Sequence, residues 1–123
     1  MTRHELREQT FRILFGMEFH RQAEEREASL QNYLDETCEY ELTDEERSEI
    51  RDKVLSIVSK EPELDQAIDM ASSGWSVRRM GRAELSILRL ALYEIRYDDM
   101  VPVGVAINEA VELYGHEDEK DTE

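Results

Sequence analysis

The chain has 123 residues, 37% of them charged, a formal charge of −15 and one cysteine. That length suits one domain with a core of its own, and no run of about 18 apolar residues is present to cross a membrane. No apolar stretch follows a basic start, and Cys38 alone can form no internal disulfide, so a soluble protein of the reducing cytosol is expected.

Thr2, with Glu5 three residues later, forms a capping box and opens a helix that runs to about His20. Its apolar residues are Leu6, Phe11, Ile13, Leu14, Phe15, Met17 and Phe19. At ~100° per residue they fall on two broad faces, which predicts a central helix packed on several sides. Arg3, His4 and Arg7 make up its polar, exposed first turn. A second helix is expected over 24–37, with Ala28, Leu30, Tyr33 and Leu34 inward. After the loop "TCEYEL", Thr43 and Glu46 form a second capping box. The third helix then shows Ile50, Val54, Leu55, Ile57 and Val58 at helical spacing. Pro62 suits the first turn of a fourth helix over 63–72, with Leu64, Ala67, Ile68 and Ala71 inward. Gly74 suits a left-handed cap, and Trp75 follows it.

The short turn "SVRRMG" leads into a fifth helix from about Arg82 to Tyr97. Leu85, Ile87, Leu88, Leu90, Ala91, Leu92 and Ile95 leave it almost no polar face, so it is a second central helix. "DDMVP" breaks it. Pro102 opens a sixth helix, with Val103, Ala106, Ile107, Ala110, Val111 and Tyr114 as its inward residues. No period-2 alternation appears, so the expected class is all-α.

The charge is unevenly spread. Residues 23–73 hold sixteen acidic residues against five basic ones. Residues 1–22 and 74–99 escape this acidity, and their basic residues are all Arg. Arg suits bidentate contact with phosphate or carboxylate; pairing with nearby Glu is the alternative. Arg89 stands inside an apolar run, where burial without a partner would be costly. Glu109 or Glu94 is the expected carboxylate. With Asn108 satisfying a helix end or the loop around Pro102, Arg89, Asn108 and Glu109 are read as a polar lock between the last two helices.

No Cys–His metal spacing, glycine-rich phosphate loop or usable Ser–His–Asp order is present, and the His residues are scattered at 4, 20 and 116. No metal, no cofactor and no catalysis are expected. Spacing alone gives a helical binding module.

"ILRLALYEI", Pro102, "VAINEAVEL" and an aromatic-glycine pair follow one another near the end of the chain. Together with the upstream "GW" and "RMG", and with "RHELREQTFRILF" at the start, they resemble the NusB family of transcription antitermination factors. The resemblance implies two small helical bundles around central helices, over about 1–60 and 61–115, with an acidic tail at 116–123. It implies a six-helix, non-catalytic protein that binds boxA-type single-stranded RNA in nascent transcripts. The expected partners are a small-subunit ribosomal protein acting as NusE and the antitermination complex on RNA polymerase, with no membrane involved. The family's arginine-rich start falls on Arg3, His4 and Arg7; a helix N-terminus with such side chains suits phosphate. Phe15 matches an aromatic position and suits either base stacking or the core. Arg79 and Arg82 would extend the basic strip, or else pair with Glu84. The alternative reading is a NusB-like protein-interaction module without RNA binding.

Family members carry a further amphipathic helix after the aromatic-glycine, where this chain reads "YGHEDEKDTE". A C-terminally shortened member is therefore expected. Its last two helices would expose apolar surface, covered by a second copy of the chain as a homodimer or by the ribosomal protein.

Overall fold

The computed structural model describes residues 1–72 and 76–121; side chains are described for all of these except 117–121. The cap expected at Gly74, and Trp75 after it, lie outside the described residues. The described residues form six α-helices: α1 Arg3–Met17, α2 Ala23–Asn32, α3 Asp44–Ser59, α4 Glu61–Ala71, α5 Arg82–Tyr97 and α6 Val103–Asp121. A π-helical turn, Tyr33–Thr37, extends α2, and a 3₁₀ turn, Val77–Arg79, precedes α5. No strand occurs among the described residues. No helix among them is long and apolar enough to cross a membrane. The chain divides into two compact units, Met1–Ser56 and Ile57–Glu123. That division falls inside α3, a few residues before the boundary expected near residue 60.

In the first unit both capping boxes form as read. Thr2 Oγ1 accepts from the Glu5 N–H at 3.0 Å, and Glu5 Oε1 accepts from the Thr2 N–H at 2.8 Å. Thr43 and Glu46 repeat the arrangement at 3.1 and 2.9 Å. The hydrogen bond from the cap backbone holds each glutamate's carboxyl below its usual range. A depressed carboxylate stabilises above its ordinary value of 4.5, and that contribution fades as pH falls through the lowered value. Thr2→Ala and Thr43→Ala should each cost about 1 kcal/mol in chemical denaturation. Helicity followed by circular dichroism should begin to fall below about pH 4.5, and Glu5→Gln should blunt that fall. An acid titration identical for the two proteins would mean that the box at α1 contributes nothing.

α1 is buried on most of its circumference, as a central helix should be. Leu6, Phe11, Ile13, Leu14 and Met17 are in the core, and so are the polar Arg7, Gln9 and Thr10. Gln9 Oε1 accepts from the Tyr33 hydroxyl, and it lies 3.6 Å from Cys38 Sγ. Burial pushes the Tyr33 hydroxyl up to about 12. The π turn is closed by Cys38 N–H donating to the Tyr33 carbonyl at 2.9 Å, five residues back. Leu30 and Leu34 are buried, whereas Ala28, expected inward, is exposed. α3 is tied to the turn by Arg47, which donates to the Leu34 carbonyl at 2.9 Å and pairs with Asp35. Its Arg51 reaches Glu27 and Gln31 of α2 at 2.7 and 3.0 Å.

In the second unit α5 packs on both α4 and α6. Leu64 and Ile68 of α4 and Leu85, Ile87 and Leu90 of α5 are buried. Arg89 is only 7% exposed. The contacts that hold Arg89 among the described residues include two carboxylates that were not expected, both on α4. Asp65 of α4 grips Arg89 through two bonds of 2.7 Å, and Glu61 lies 3.8 Å away. Glu61 and Asp65 are four residues apart and border the face of α4 that carries Leu64 and Ile68. The bidentate carboxylate is thus on α4, the helix before α5. Two lesser ties join the same helices: the Tyr97 hydroxyl donates to Glu63 at 2.8 Å, and Lys60 Nζ sits 5.1 Å from the Tyr97 ring centre.

α6 departs from expectation twice. It runs on through Gly115 to Asp121, over residues expected to be tail. Glu and Lys are good helix formers, and one Gly costs only about 1 kcal/mol. Among its described side chains, those of Ala106 and Leu113 are buried. Val103, Ile107, Val111 and Tyr114, expected inward, are all exposed.

Candidate nucleic-acid interface

The residues singled out for RNA fall in both units: Arg3, His4, Arg7 and Phe15 on α1, and Arg79 and Arg82 around the start of α5. On α1 the expected basic first turn is only partly open. Arg3 is exposed and pairs with Glu49 of α3. Arg7 is corrected: it is 7% exposed. It shares its face with Phe11 and Leu14, four and seven residues further on, and both are core residues. Truncating it would disturb packing, so it is a poor probe of ligand contact.

The outward stripe of α1 runs through His4, Glu8, Arg12 and Phe15, spaced by four, four and three. Arg12 bonds Glu8 at 3.0 and 3.3 Å and remains partly exposed. Phe15 is half-buried. Its ring stacks on Phe11 at 6.1 Å, and Phe19 meets it edge-on at 5.3 Å. Phe19 is more than half exposed. A short aromatic ladder therefore climbs from the core to solvent beside a guanidinium. Such rings can carry bases, since every base has a π-face, and the guanidinium adds a phosphate or cation–π contact. Arg12 and Phe19 were not singled out from the sequence. Their spacing from His4 and Phe15 on a helical wheel was the available signal.

In the second unit, the 3₁₀ turn is pinned by Asp69 of α4, whose Oδ1 accepts from the Val77 N–H at 2.6 Å. Arg78 and Arg79 on that turn and Arg82 at the first position of α5 are all exposed. Gly81, the residue capping α5, gives no side-chain hydrogen bond to its first amides. Amides at a helix start, with arginines beside them, present positive potential to an anion. The structure thus keeps Arg79 and Arg82 on one short stretch of surface, as the sequence suggests, and adds Arg78.

Each unit by itself offers groups that suit nucleic acid: a guanidinium and stacking rings on α1, and arginines with helix amides at the start of α5.

Comparison with known proteins gives a consistent result. The model of the NusB family matches residues 4–122. Two curated relatives are the transcription antitermination proteins NusB of Lachnoclostridium phytofermentans and of Agathobacter rectalis. They are 47% and 45% identical over 92% of this chain, which spans 83% and 84% of their own lengths. The solved structure of T. maritima NusB superposes with a TM-score of 0.79 at 30% identity, covering 92% of this chain and 76% of that one. Sequence, fold and relatives agree: this chain belongs to the NusB family, and its role lies in transcription antitermination rather than catalysis.

Proposed function

We propose that the protein binds boxA-type single-stranded RNA of nascent transcripts, together with a small-subunit ribosomal protein acting as NusE, within the antitermination complex on RNA polymerase in the cytoplasm. The observation that carries this reading is the exposed Arg78–Arg79–Arg82 stretch at the start of α5 in a chain of net charge −15. An acidic chain repels RNA at long range. It keeps three exposed arginines, Arg78, Arg79 and Arg82, together at a helix start, where amides also point outward. The α1 stripe supports the same reading, with Arg12 beside Phe15 and Phe19 supplying stacking faces. Arg3 and His4 belong to this reading as flanking donors, and Arg7 as the buried support of the same turn.

The test is a titration of fluorescently labelled boxA RNA against a scrambled strand of equal length. The reading requires preference for boxA. Equal binding of both strands, or none, would favour an interaction module that keeps the fold without the RNA.

A further inference from the structure

Asp69 lies in the last turn of α4. That is a poor place for an acid, because the carbonyls at a helix C-terminus carry partial negative charge. Asp is also a weaker helix former than the Glu and Gln found elsewhere on α4. Its side chain is exposed, so burial in the core does not compensate. A residue that breaks its local rule in this way is expected to be offset by a contact outside its own helix. For Asp69 that contact is the 3₁₀ turn Val77–Arg79: Oδ1 accepts from the Val77 N–H at 2.6 Å, a short bond of the kind an ionised acceptor makes.

The turn has little support of its own. Its internal bonds run from the Arg79 N–H to the Ser76 carbonyl at 2.9 Å and from the Met80 N–H to the Val77 carbonyl at 3.3 Å. Hydrogen-bond geometry in so short a 3₁₀ turn is poor. Ser76 stands at its N-cap, yet the serine side chain gives no capping hydrogen bond. The Asp69 carboxylate takes that place from the neighbouring helix. What the turn carries is Arg78 and Arg79, both exposed, with Arg82 just beyond at the start of α5. Exposed side chains of this length are not placed by packing, so the reach of each guanidinium is set by the backbone that bears it. A turn that is already ordered loses less entropy on binding than one the ligand must order. We propose that Asp69 is a positioning residue for RNA: it caps the turn from α4 and so holds Arg78 and Arg79 ready for phosphate. This rests on the RNA reading given above. It also explains why an acid is tolerated beside arginines whose ligand it would otherwise repel.

Two substitutions separate the acceptor from the charge. Asp69→Asn and Asp69→Ala both remove the negative charge, but only the first keeps an oxygen that can accept from the Val77 N–H. Alanine is the better helix former, so a loss in Asp69→Ala cannot come from weakening α4. Each variant is titrated against labelled boxA RNA in about 0.15 M salt, and amide hydrogen exchange at 77–80 is followed in the free protein. Asp69→Asn should bind about as tightly as the unaltered protein. Asp69→Ala should bind roughly fivefold more weakly than Asp69→Asn, the scale of one hydrogen bond, and should exchange its amides at 77–80 faster by a similar factor. Denaturation midpoints check that both variants fold. Faster exchange in Asp69→Ala, with RNA affinity equal to that of Asp69→Asn, would confine Asp69 to a structural role and overturn the proposal. So would equally tighter binding by both variants, which would make Asp69 only a charge that opposes RNA. Failure of the unaltered protein to bind boxA RNA is a separate result: it would overturn the RNA reading itself, and this proposal with it.

Discussion

Arg89→Met is expected to lower the unfolding free energy by about 3 kcal/mol in denaturant titration, the low end for breaking a buried ion pair. The guanidinium is 7% exposed and held by both oxygens of Asp65. Methionine matches the arginine stem in the apolar neighbourhood, so little packing is lost. What remains is electrostatic. Asp65 loses its cation, and Glu61, four residues away on the same helix face, becomes a like charge with nothing between them. Asp65 keeps partial access to water, which is why the high end of the range is not expected. Replacing both partners, Arg89→Met with Asp65→Leu, should recover part of the loss, because the Asp65 charge is then gone while that of Glu61 remains. A single-variant loss under about 1 kcal/mol would show that the Arg89–Asp65 pair contributes little to holding α4 on α5.

The second large effect concerns salt. If three phosphates are contacted, the affinity for single-stranded RNA should fall with a log–log slope near −2. Between 50 and 200 mM salt that is a loss of roughly 20-fold. Arg79→Gln and Arg82→Gln together should bring the slope to about −0.7, the value for a single remaining phosphate contact, and weaken binding at low salt. Arg96→Gln removes an exposed charge from the last turn of α5 and should leave the slope unchanged. A slope that does not respond to the Arg79 and Arg82 pair would remove the start of α5 from the interface.

The helices were legible because their signals are local. Capping boxes at Thr2 and Thr43 and the bounds of α5 need only neighbours along the chain. Where residues point was less legible. Arg7 was read as exposed because it is charged and near a helix start. Its partners in position, Phe11 and Leu14, place it on the buried arc, and its charge misled. The carboxylates expected for Arg89 were Glu109 on α6 and Glu94 on α5 itself, not residues of α4. Asp65 and Glu61 sit in "EPELDQ", which reads as a solvated helix start until α4 is laid against α5. α6 has apolar residues on more than one arc, and sequence alone could not say which arc is buried. Ala106 and Leu113 took the core, and the bulkier stripe was left outside. Of the RNA candidates, Arg79 and Arg82 were placed correctly at an exposed turn, since a glycine and two arginines before an apolar helix leave little else.

The central claim is that this NusB-family chain recognises boxA RNA with a ribosomal protein partner. The most direct measurement is fluorescence anisotropy of labelled boxA RNA, titrated with the 123-residue protein alone and with the NusE-type ribosomal protein at fixed concentration. The account predicts at least tenfold preference for boxA over a scrambled strand, and tighter boxA binding when the ribosomal protein is present. Identical curves for boxA and scrambled RNA, unchanged by the partner, would contradict it.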